Sequence, residues 1–194
     1  IIARSSDGSM KGVENDTFLR GISDDKYVGE TFTPDPVVKE SIPAGAQHGI
    51  NYNTDGSVTF VFYEKDKKNN SYDWCYLIGE FNDWERKSEY AMKRDEGAGC
   101  WWITCTGFES GKEYMFQYMA GNEDTRLRLS DPYSEIVYSG DDQWISSSTY
   151  PGLRTYPSGT SGYVSAFEIG REAYNWQVTD FEIEDKDDLI IYEL

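Results

Sequence analysis

Between residues 47 and 138, short runs of β-branched and aromatic residues alternate with polar turns. The run at residues 58–63 follows an Asp55-Gly56 pair, which is typical of tight hairpin turns. Further runs follow at hairpin spacing, at residues 74–81, 90–93, 100–106, 112–120 and 126–129. No stretch among them has the 3.6-residue period of an amphipathic helix. The pattern predicts an all-β fold, in which six or seven short strands form an antiparallel β-sandwich.

Because side chains alternate between the two faces of a strand, the same runs predict which residues form the core. In the run at 112–120 three aromatic rings share one face, and we expect them inside the sandwich: Tyr114, Phe116 and Tyr118. The run at 100–106 likewise places three side chains on one face: Trp101, Ile103 and Cys105. Trp102 then lies on the opposite face, where we expect it to be exposed.

The segments on either side of this region are less regular. Residues 1–46 are polar and are interrupted by glycines and by Pro-containing clusters, which predicts a linker or the tail of a preceding module. Residues 139–194 form an irregular connector with candidate strands at 164–167 and 181–183. The connector ends in a sharply apolar run at 189–192, which suggests a strand whose natural sheet is missing from this chain.

The net charge of the chain limits the kinds of ligand and partner that it can bind. The chain holds 18 Lys and Arg residues against 35 Asp and Glu residues, a formal net charge of −17. Such a surface repels phosphate groups, which argues against binding to nucleic acid or to an anionic membrane. Aromatic residues make up 15% of the chain and can form platforms for flat apolar ligand faces. A neutral ligand or a protein partner therefore fits better. No apolar run is long enough to span a membrane.

Three cysteines are too few for a disulfide scaffold, and their odd number leaves at least one thiol free. Cys100 and Cys105 are separated by an odd number of positions, so one continuous strand would place them on opposite faces. A cross-strand bond to Cys75 stays open. The chain has no Cys-x-x-Cys pair and no Cys/His cluster, which argues against a zinc site.

The chain offers little for catalysis. His48 is the only imidazole and has no nucleophile beside it, so we expect a surface or packing residue. Residues 159–162 resemble a nucleophile elbow only in part, because the second glycine comes one position early. Residues 51–56 mimic the first half of a calcium loop, but Phe62 occupies the closing position. A glycosidase carboxylate pair needs a deep cleft, which a small sandwich rarely offers. We expect no catalytic residue, no metal ligand and no cofactor.

One motif stands out: Gly79, Phe81, Asn82 and Trp84 occur in the order G-x-F-N-x-W. This order resembles the signature of carbohydrate-binding module family 48, the glycogen- and starch-binding relatives of the early-set immunoglobulin-like domains. Further blocks resemble the same family in its usual order, at residues 100–106, 116–118 and 131–134. The resemblance covers residues 47–138 and implies an immunoglobulin-like antiparallel β-sandwich with irregular flanking segments.

Residues 188–194 resemble the first barrel strand of glycoside hydrolase family 13, the α-amylase family. A (β/α)8 barrel needs about 250 residues, so the resemblance implies that the barrel and its catalytic carboxylates lie beyond Leu194. It implies a non-catalytic N-terminal module of a starch-degrading enzyme, with the barrel as its partner in cis. Residues 1–12 contain no signal peptide. A weaker resemblance to amylases of gut bacteria implies a secreted, periplasmic or cell-surface protein.

The resemblance also implies which residues contact sugar. Trp84 takes the place of the family's signature tryptophan, and Asn82 accompanies it in the motif. Arg128 stands where glycogen-binding members have a second stacking tryptophan, and Gln117 where they have a lysine. Three interpretations stay open. The chain is an α-glucan-binding module for starch, glycogen or maltooligosaccharides, a purely structural sandwich docked on the barrel, or a module of a different enzyme such as an esterase.

Overall fold

Hairpins account for most of the secondary structure. The computed structural model describes residues 33–64, 72–122, 126–172 and 175–180, together with the single residues 182, 190 and 192. The chain divides into two compact units, Ile1–Pro36 and Val37–Leu194. The strands among the described residues are β1 (Gly49–Tyr52), β2 (Val58–Tyr63), β3 (Trp74–Gly79), β4 (Lys93–Asp95), β5 (Cys100–Cys105), β6 (Glu113–Gly121), β7 (Arg126–Leu129), β8 (Ile136–Tyr138) and β9 (Val164–Glu168).

The strands form two antiparallel sheets. In the first sheet the order is β1-β2-β5-β4, and the predicted Asp55-Gly56 turn joins β1 to β2. In the second sheet the order is β3-β6-β9-β8. β7 pairs with the end of β6 that β9 leaves free, so β7 and β9 follow one another along the same edge of β6. The predicted all-β antiparallel sandwich is confirmed.

Aromatic rings from both sheets fill the space between them. Phe60 of β2, Phe116 of β6 and Phe167 of β9 are buried, with ring centroids between 5.1 and 5.8 Å apart. Edge-to-face pairs of this kind contribute about 0.5–1.5 kcal/mol each beyond the burial of their area. The predicted core residues all belong to this cluster: Trp101, Ile103, Cys105, Tyr114, Phe116 and Tyr118. The alternation along β5 and β6 is therefore confirmed.

The expectation that Trp102 is exposed is wrong, because only 5% of this residue is accessible to solvent. Residues 38–40 pair with the edge strand β4, and Ile42 and Ala46 then cover the outer face of the first sheet. Trp102 Nε1 donates a 2.9 Å hydrogen bond to the Glu40 carbonyl oxygen. Lys93 Nζ lies 4.4 Å from the Trp102 ring centroid, and Ile42 packs against the same cluster. Alternation determines the face on which a side chain lies, but it does not reveal which segment covers that face.

Some elements differ from the predicted runs. Residues 90–93 begin in a 3-10 helix, Ser88–Tyr90, and β4 starts only at the end of that run. β1 and β8 lie in stretches without a sustained apolar run, and neither is predicted. β9 coincides with the candidate strand predicted at 164–167, and it pairs with β6 in the second sheet. Of the candidate strands at 181–183 and 189–192, the structure describes only residues 182, 190 and 192, so neither strand can be compared with it.

All three cysteines are buried free thiols. Cys105 lies in the core between the sheets, whereas Cys100 packs in the cluster with Trp102, so the two face opposite sides as predicted. Burial raises the pKa of the Cys105 thiol to about 12. Burial, together with the nearby Asp95 carboxylate, raises the pKa of the Cys100 thiol to about 11.

Candidate functional site

The motif residues form a tight turn after β3, here called the Trp84 turn (residues 79–84). Asn82 is fully buried, and its side chain closes the turn. Asn82 Oδ1 accepts a hydrogen bond from the Gly79 N–H at 2.8 Å, and Nδ2 donates to the Leu77 carbonyl oxygen at 2.9 Å. The Trp84 N–H donates to the Gly79 carbonyl oxygen at 2.9 Å. Gly79 is required, since a Cβ there would lie 2.5 Å from a backbone oxygen of β6.

This turn presents the Trp84 ring to the outer face of the second sheet. Asp83 and Trp84 have left-handed backbones, with φ of 59° and 60°. Such a conformation costs of order 1–3 kcal/mol for each non-glycine residue, so the hydrogen bonds of Asn82 hold a shape that the chain alone would avoid. Trp84 is half-buried. It packs against a buried apolar cluster of Met115, Tyr138, Val164 and Ala166, against which Ile136, Leu153 and Tyr156 also pack.

Two further predicted positions lie on the same outer face. Arg128 of β7 pairs with Met119 of β6, two residues from Gln117, so Arg128 and Gln117 point away from the core. Gln117 is fully buried, and its Nε2 donates to the carbonyl oxygens of Ser161 and Tyr163, both at 2.8 Å. Among the described residues, Gln117 Oε1 and Arg128 Nη1 are buried without a hydrogen-bond partner. Burial also lowers the pKa of the Arg128 guanidinium.

Residues 139–163, here called the covering segment, account for this burial. Arg154 of this segment lies with Nη2 2.5 Å from Glu80 Oε1 and with Nη1 3.2 Å from Glu113 Oε1. The Tyr138 hydroxyl donates to the same Glu113 carboxylate at 2.7 Å. One guanidinium therefore ties the covering segment both to the Trp84 turn and to the start of β6. The outer face is closed over Gln117, while Trp84 at its edge keeps part of its surface accessible.

The structure thus brings together only some of the residues that the resemblance implies for sugar contact. Trp84 and Arg128 lie on one face, and Tyr156 connects their surroundings, because it packs against the same buried cluster as Trp84 and lies close enough to Arg128 to influence its charge. Asn82 lies beneath the turn with no accessible surface, and both ends of its amide are bonded to the backbone. In this conformation Asn82 supports Trp84 and offers no atom to a ligand.

A second concavity opens between β1 and the β8–β9 edge, and we call it the β1–β9 groove. Its volume is about 650 Å³, and its lining includes His48, Tyr52, Tyr133, Glu135, Glu168 and Arg171. The sequence pattern does not predict this groove. Its walls come from distant segments, and β1 is too short and too polar to be predicted from periodicity. The one local signal is the spacing of His48, Ile50 and Tyr52, which places three apolar or aromatic side chains on one side of β1.

The described part of the chain contains few candidate catalytic residues. Within those residues no group of three or more His, Cys, Asp and Glu side chains is arranged to hold a metal ion. His48 stacks on the Tyr63 ring, with centroids 4.6 Å apart, as expected of a packing histidine. Within the same residues, no helix combines the length and apolar character that crossing a membrane requires.

Part of the chain is similar in sequence to glucan branching enzymes. It is 31% identical over 98 residues to a 1,4-α-glucan branching enzyme of Clostridium perfringens, which covers 42% of this chain and 15% of that enzyme. It is 34% identical over 62 residues to the 1,4-α-glucan branching enzyme of Aquifex aeolicus, which covers 32% of this chain and 10% of that enzyme. No protein-family model matches the chain. The chain therefore corresponds to only a small part of the length of these relatives.

Proposed function

We propose that the chain is a non-catalytic N-terminal accessory module of an α-glucan-processing enzyme of the α-amylase type. The observation that carries this proposal is the partial similarity to 1,4-α-glucan branching enzymes. The G-x-F-N-x-W motif supports it independently, because its asparagine and glycine are used structurally to build the turn that holds Trp84. In this proposal a catalytic barrel follows in cis, and the module positions or stabilises it.

The Trp84 edge of the outer face is the proposed contact with α-glucan. An indole ring presents a flat apolar surface on which the apolar face of a pyranose ring can stack. The covering segment closes the face over Gln117 and leaves the site shallow. A shallow site predicts weak binding, with a Kd between millimolar and micromolar, roughly −4 to −8 kcal/mol.

A purely structural role is the second candidate, and the closure of the outer face favours it. Arg154 fixes the covering segment through two carboxylates, so the face that the resemblance implies for sugar is already packed by the chain itself. In this alternative the half-buried Trp84 ring belongs to that packing, and the module stabilises the barrel without sugar affinity. A measurement of sugar binding separates the two candidates.

The decisive experiment is a calorimetric titration of the chain with maltoheptaose, carried out in parallel on Trp84→Ala. The matched control is Trp144→Ala, because Trp144 is 81% exposed, lies on a 3-10 helix and does not pack in the cluster that Trp84 contacts. We expect the native chain and Trp144→Ala to bind alike and Trp84→Ala to bind more weakly. Unfolding curves of all three proteins show whether each is folded. If all three stay folded and none binds, the structural role is correct.

The parent enzyme and its location are proposals as well. We propose an enzyme that meets starch or glycogen outside the cytoplasm, in the periplasm or at the cell surface. The coding sequence that follows Leu194 tests the parent directly. Barrel motifs with two Asp and one Glu support the α-amylase type, whereas a serine nucleophile elbow would identify an esterase instead. Fractionation of the producing cells tests the location.

A further inference from the structure

The β1–β9 groove has the size and lining of a ligand site. Its volume of about 650 Å³ falls within the range of about 300–1,000 Å³ that is common for small-ligand pockets. Two tyrosines in its lining are largely accessible, Tyr52 with 52% and Tyr133 with 56% of their surface exposed. Exposed rings that converge on a concavity are unusual for residues that serve only the core.

His48 and Tyr133 of the groove lining belong to a series of neighbouring aromatic rings, which Tyr63 extends beyond the lining. The His48 ring lies 4.6 Å from the Tyr63 ring at an interplanar angle of 15°, and 5.9 Å from the Tyr133 ring. Tyr63 is itself 37% exposed. A row of partly exposed rings offers successive flat surfaces, which suit a ligand built from repeated flat units.

The two groove tyrosines are held in place. Gly49 has φ of +92°, and a Cβ on it would lie 2.7 Å from Tyr133 Cβ, so the Tyr133 side chain rests directly on the backbone of β1. The Tyr52 hydroxyl comes close to the backbone of Glu168, so β1 of the first sheet and β9 of the second meet at this side chain. Rings that are positioned before binding lose little entropy when a ligand arrives.

The charges around the groove disfavour an anionic ligand. Three carboxylates line it against one guanidinium: Glu135, Glu168 and Glu172 against Arg171. With a net charge of −17 on the whole chain, anionic ligands are repelled. Arg171 Nη1 lies 3.9 Å from Glu135 Oε2, and both side chains are at least half exposed, so this pair is loose and its polar atoms can turn to a ligand.

We infer that the β1–β9 groove is a second α-glucan site, separate from the Trp84 turn. Tyr52 and Tyr133 stack on pyranose rings, while Glu135 and Arg171 exchange hydrogen bonds with sugar hydroxyls. The choice of α-glucan among neutral saccharides rests on the proposed function. The site itself rests on the groove, its rings and its charges. An experiment can therefore disprove the groove site without disproving the Trp84 site.

The test uses the full chain and maltoheptaose in two backgrounds, native and Trp84→Ala. In each background Tyr52→Ala and Tyr133→Ala are combined, and the Kd is measured by calorimetry after an unfolding curve has shown that the protein is folded. We expect the double change to weaken binding at least about tenfold, and the Trp84→Ala chain to retain a groove-dependent part. Tyr52→Phe with Tyr133→Phe keeps both rings and should retain binding. Tyr150→Ala removes a similarly exposed tyrosine (58%) outside the groove and should change nothing.

Each outcome decides between the two sites. If the double alanine variant binds as the native chain does, the groove site is overturned, and the Trp84 site stands when Trp84→Ala removes all binding. If binding is lost only in the groove variants, the groove is supported and the Trp84 site fails. If a short oligolysine binds the native chain in a salt-sensitive manner while maltoheptaose does not, the groove takes a cationic peptide and the inference is overturned. If no protein binds maltoheptaose, both sites fail.

Discussion

The Tyr118 hydroxyl donates a 2.6 Å hydrogen bond to Oδ2 of Asp131 inside the sandwich, where both residues are buried. Oδ1 of the same carboxylate accepts a hydrogen bond from the Tyr133 N–H at 2.7 Å, and the Ser165 hydroxyl lies 2.8 Å from the Asp131 nitrogen. This contact joins β6 to the segment that follows β7, so two of the sequence blocks that suggested the family resemblance meet at one carboxylate. It also places Tyr133 at the β1–β9 groove.

The stability of this contact should depend on pH. Burial raises the pKa of Asp131 above its ordinary value of 3.8, while the hydrogen bonds from Tyr118 and from the Tyr133 backbone oppose that rise. A carboxyl with a raised pKa keeps its proton in the folded chain at pH values where the unfolded chain has lost it. Its contribution to stability is therefore largest at low pH and falls as pH rises from about 3.8 through the folded pKa.

Tyr118→Phe removes one of the opposing hydrogen bonds, so the pKa of Asp131 rises further and its ionised form becomes more costly. We expect a loss of about 1–3 kcal/mol at about pH 7 and a smaller loss at about pH 4. Urea unfolding at the two pH values measures this difference. Tyr150→Phe is the control, because Tyr150 is exposed. A loss that is equal at both pH values would show that Asp131 does not titrate as described.

Asn82→Ala tests whether the Trp84 turn depends on one buried amide. The change leaves the Gly79 N–H and the Leu77 carbonyl oxygen without partners, and each buried unsatisfied group costs about 1–3 kcal/mol. We expect the free energy of unfolding to fall by about 2–4 kcal/mol. Asn53→Ala is the matched control, because Asn53 is exposed and its amide bonds only to the hydroxyls of Ser57 and Thr59. Equal losses in the two variants would contradict a special role for Asn82.

Much of this fold could be predicted because its central strands carry strong local signals. β2, β5 and β6 are rich in β-branched and aromatic residues, and their alternation identifies Tyr114, Phe116 and Tyr118 as core. β1 and β8 could not be predicted, since each is short and gains its order from pairing with β2 and β9. Strand pairing is a tertiary effect, and periodicity along one segment does not contain it.

The candidate site is likewise only partly predictable from the sequence. The G-x-F-N-x-W order identifies the Trp84 turn, and Asn82 has its place in it because an amide can serve one donor and one acceptor at once. The sequence does not reveal that Arg154, 74 positions from Glu80, holds the covering segment over Gln117. It does not reveal the β1–β9 groove either, since Tyr52 and Tyr133 meet only after both sheets are formed.

Arg154→Ala should loosen the covering segment. Glu80 and Glu113 would lose their cationic partner while remaining only 30% and 20% exposed, so we expect destabilisation of about 1–2 kcal/mol. Hydrogen exchange followed by mass spectrometry should show that the change accelerates exchange, relative to the native chain, more in residues 139–163 than in the core strands. Arg171→Ala is the control, because its pair with Glu135 is 3.9 Å long and exposed, and its removal should cost less than about 0.5 kcal/mol. If exchange in residues 139–163 does not change, Arg154 does not fasten the segment.

The reactivity of the three cysteine thiols should show whether the sandwich unfolds as one unit. A thiolate reacts with disulfide reagents far faster than a thiol. With pKa values of about 11 for Cys100 and about 12 for Cys105, at most roughly one such side chain in a thousand is a thiolate at about pH 8. Cys75 is buried as well, and burial raises its pKa in the same way. We therefore expect the native chain to react very slowly with an aromatic disulfide reagent, and all three thiols to react at once in concentrated urea.

Because Cys100 and Cys105 lie on opposite faces of β5, their relative rates in dilute urea distinguish two kinds of opening. If residues 37–46 detach first, Cys100 reacts before Cys105, since that segment packs over the cluster that contains Cys100. If the sandwich opens as a whole, the two rates agree. Cys100→Ser and Cys105→Ser, measured separately, assign each rate to its thiol. Rapid reaction of any thiol in the native chain would contradict the burial described for all three.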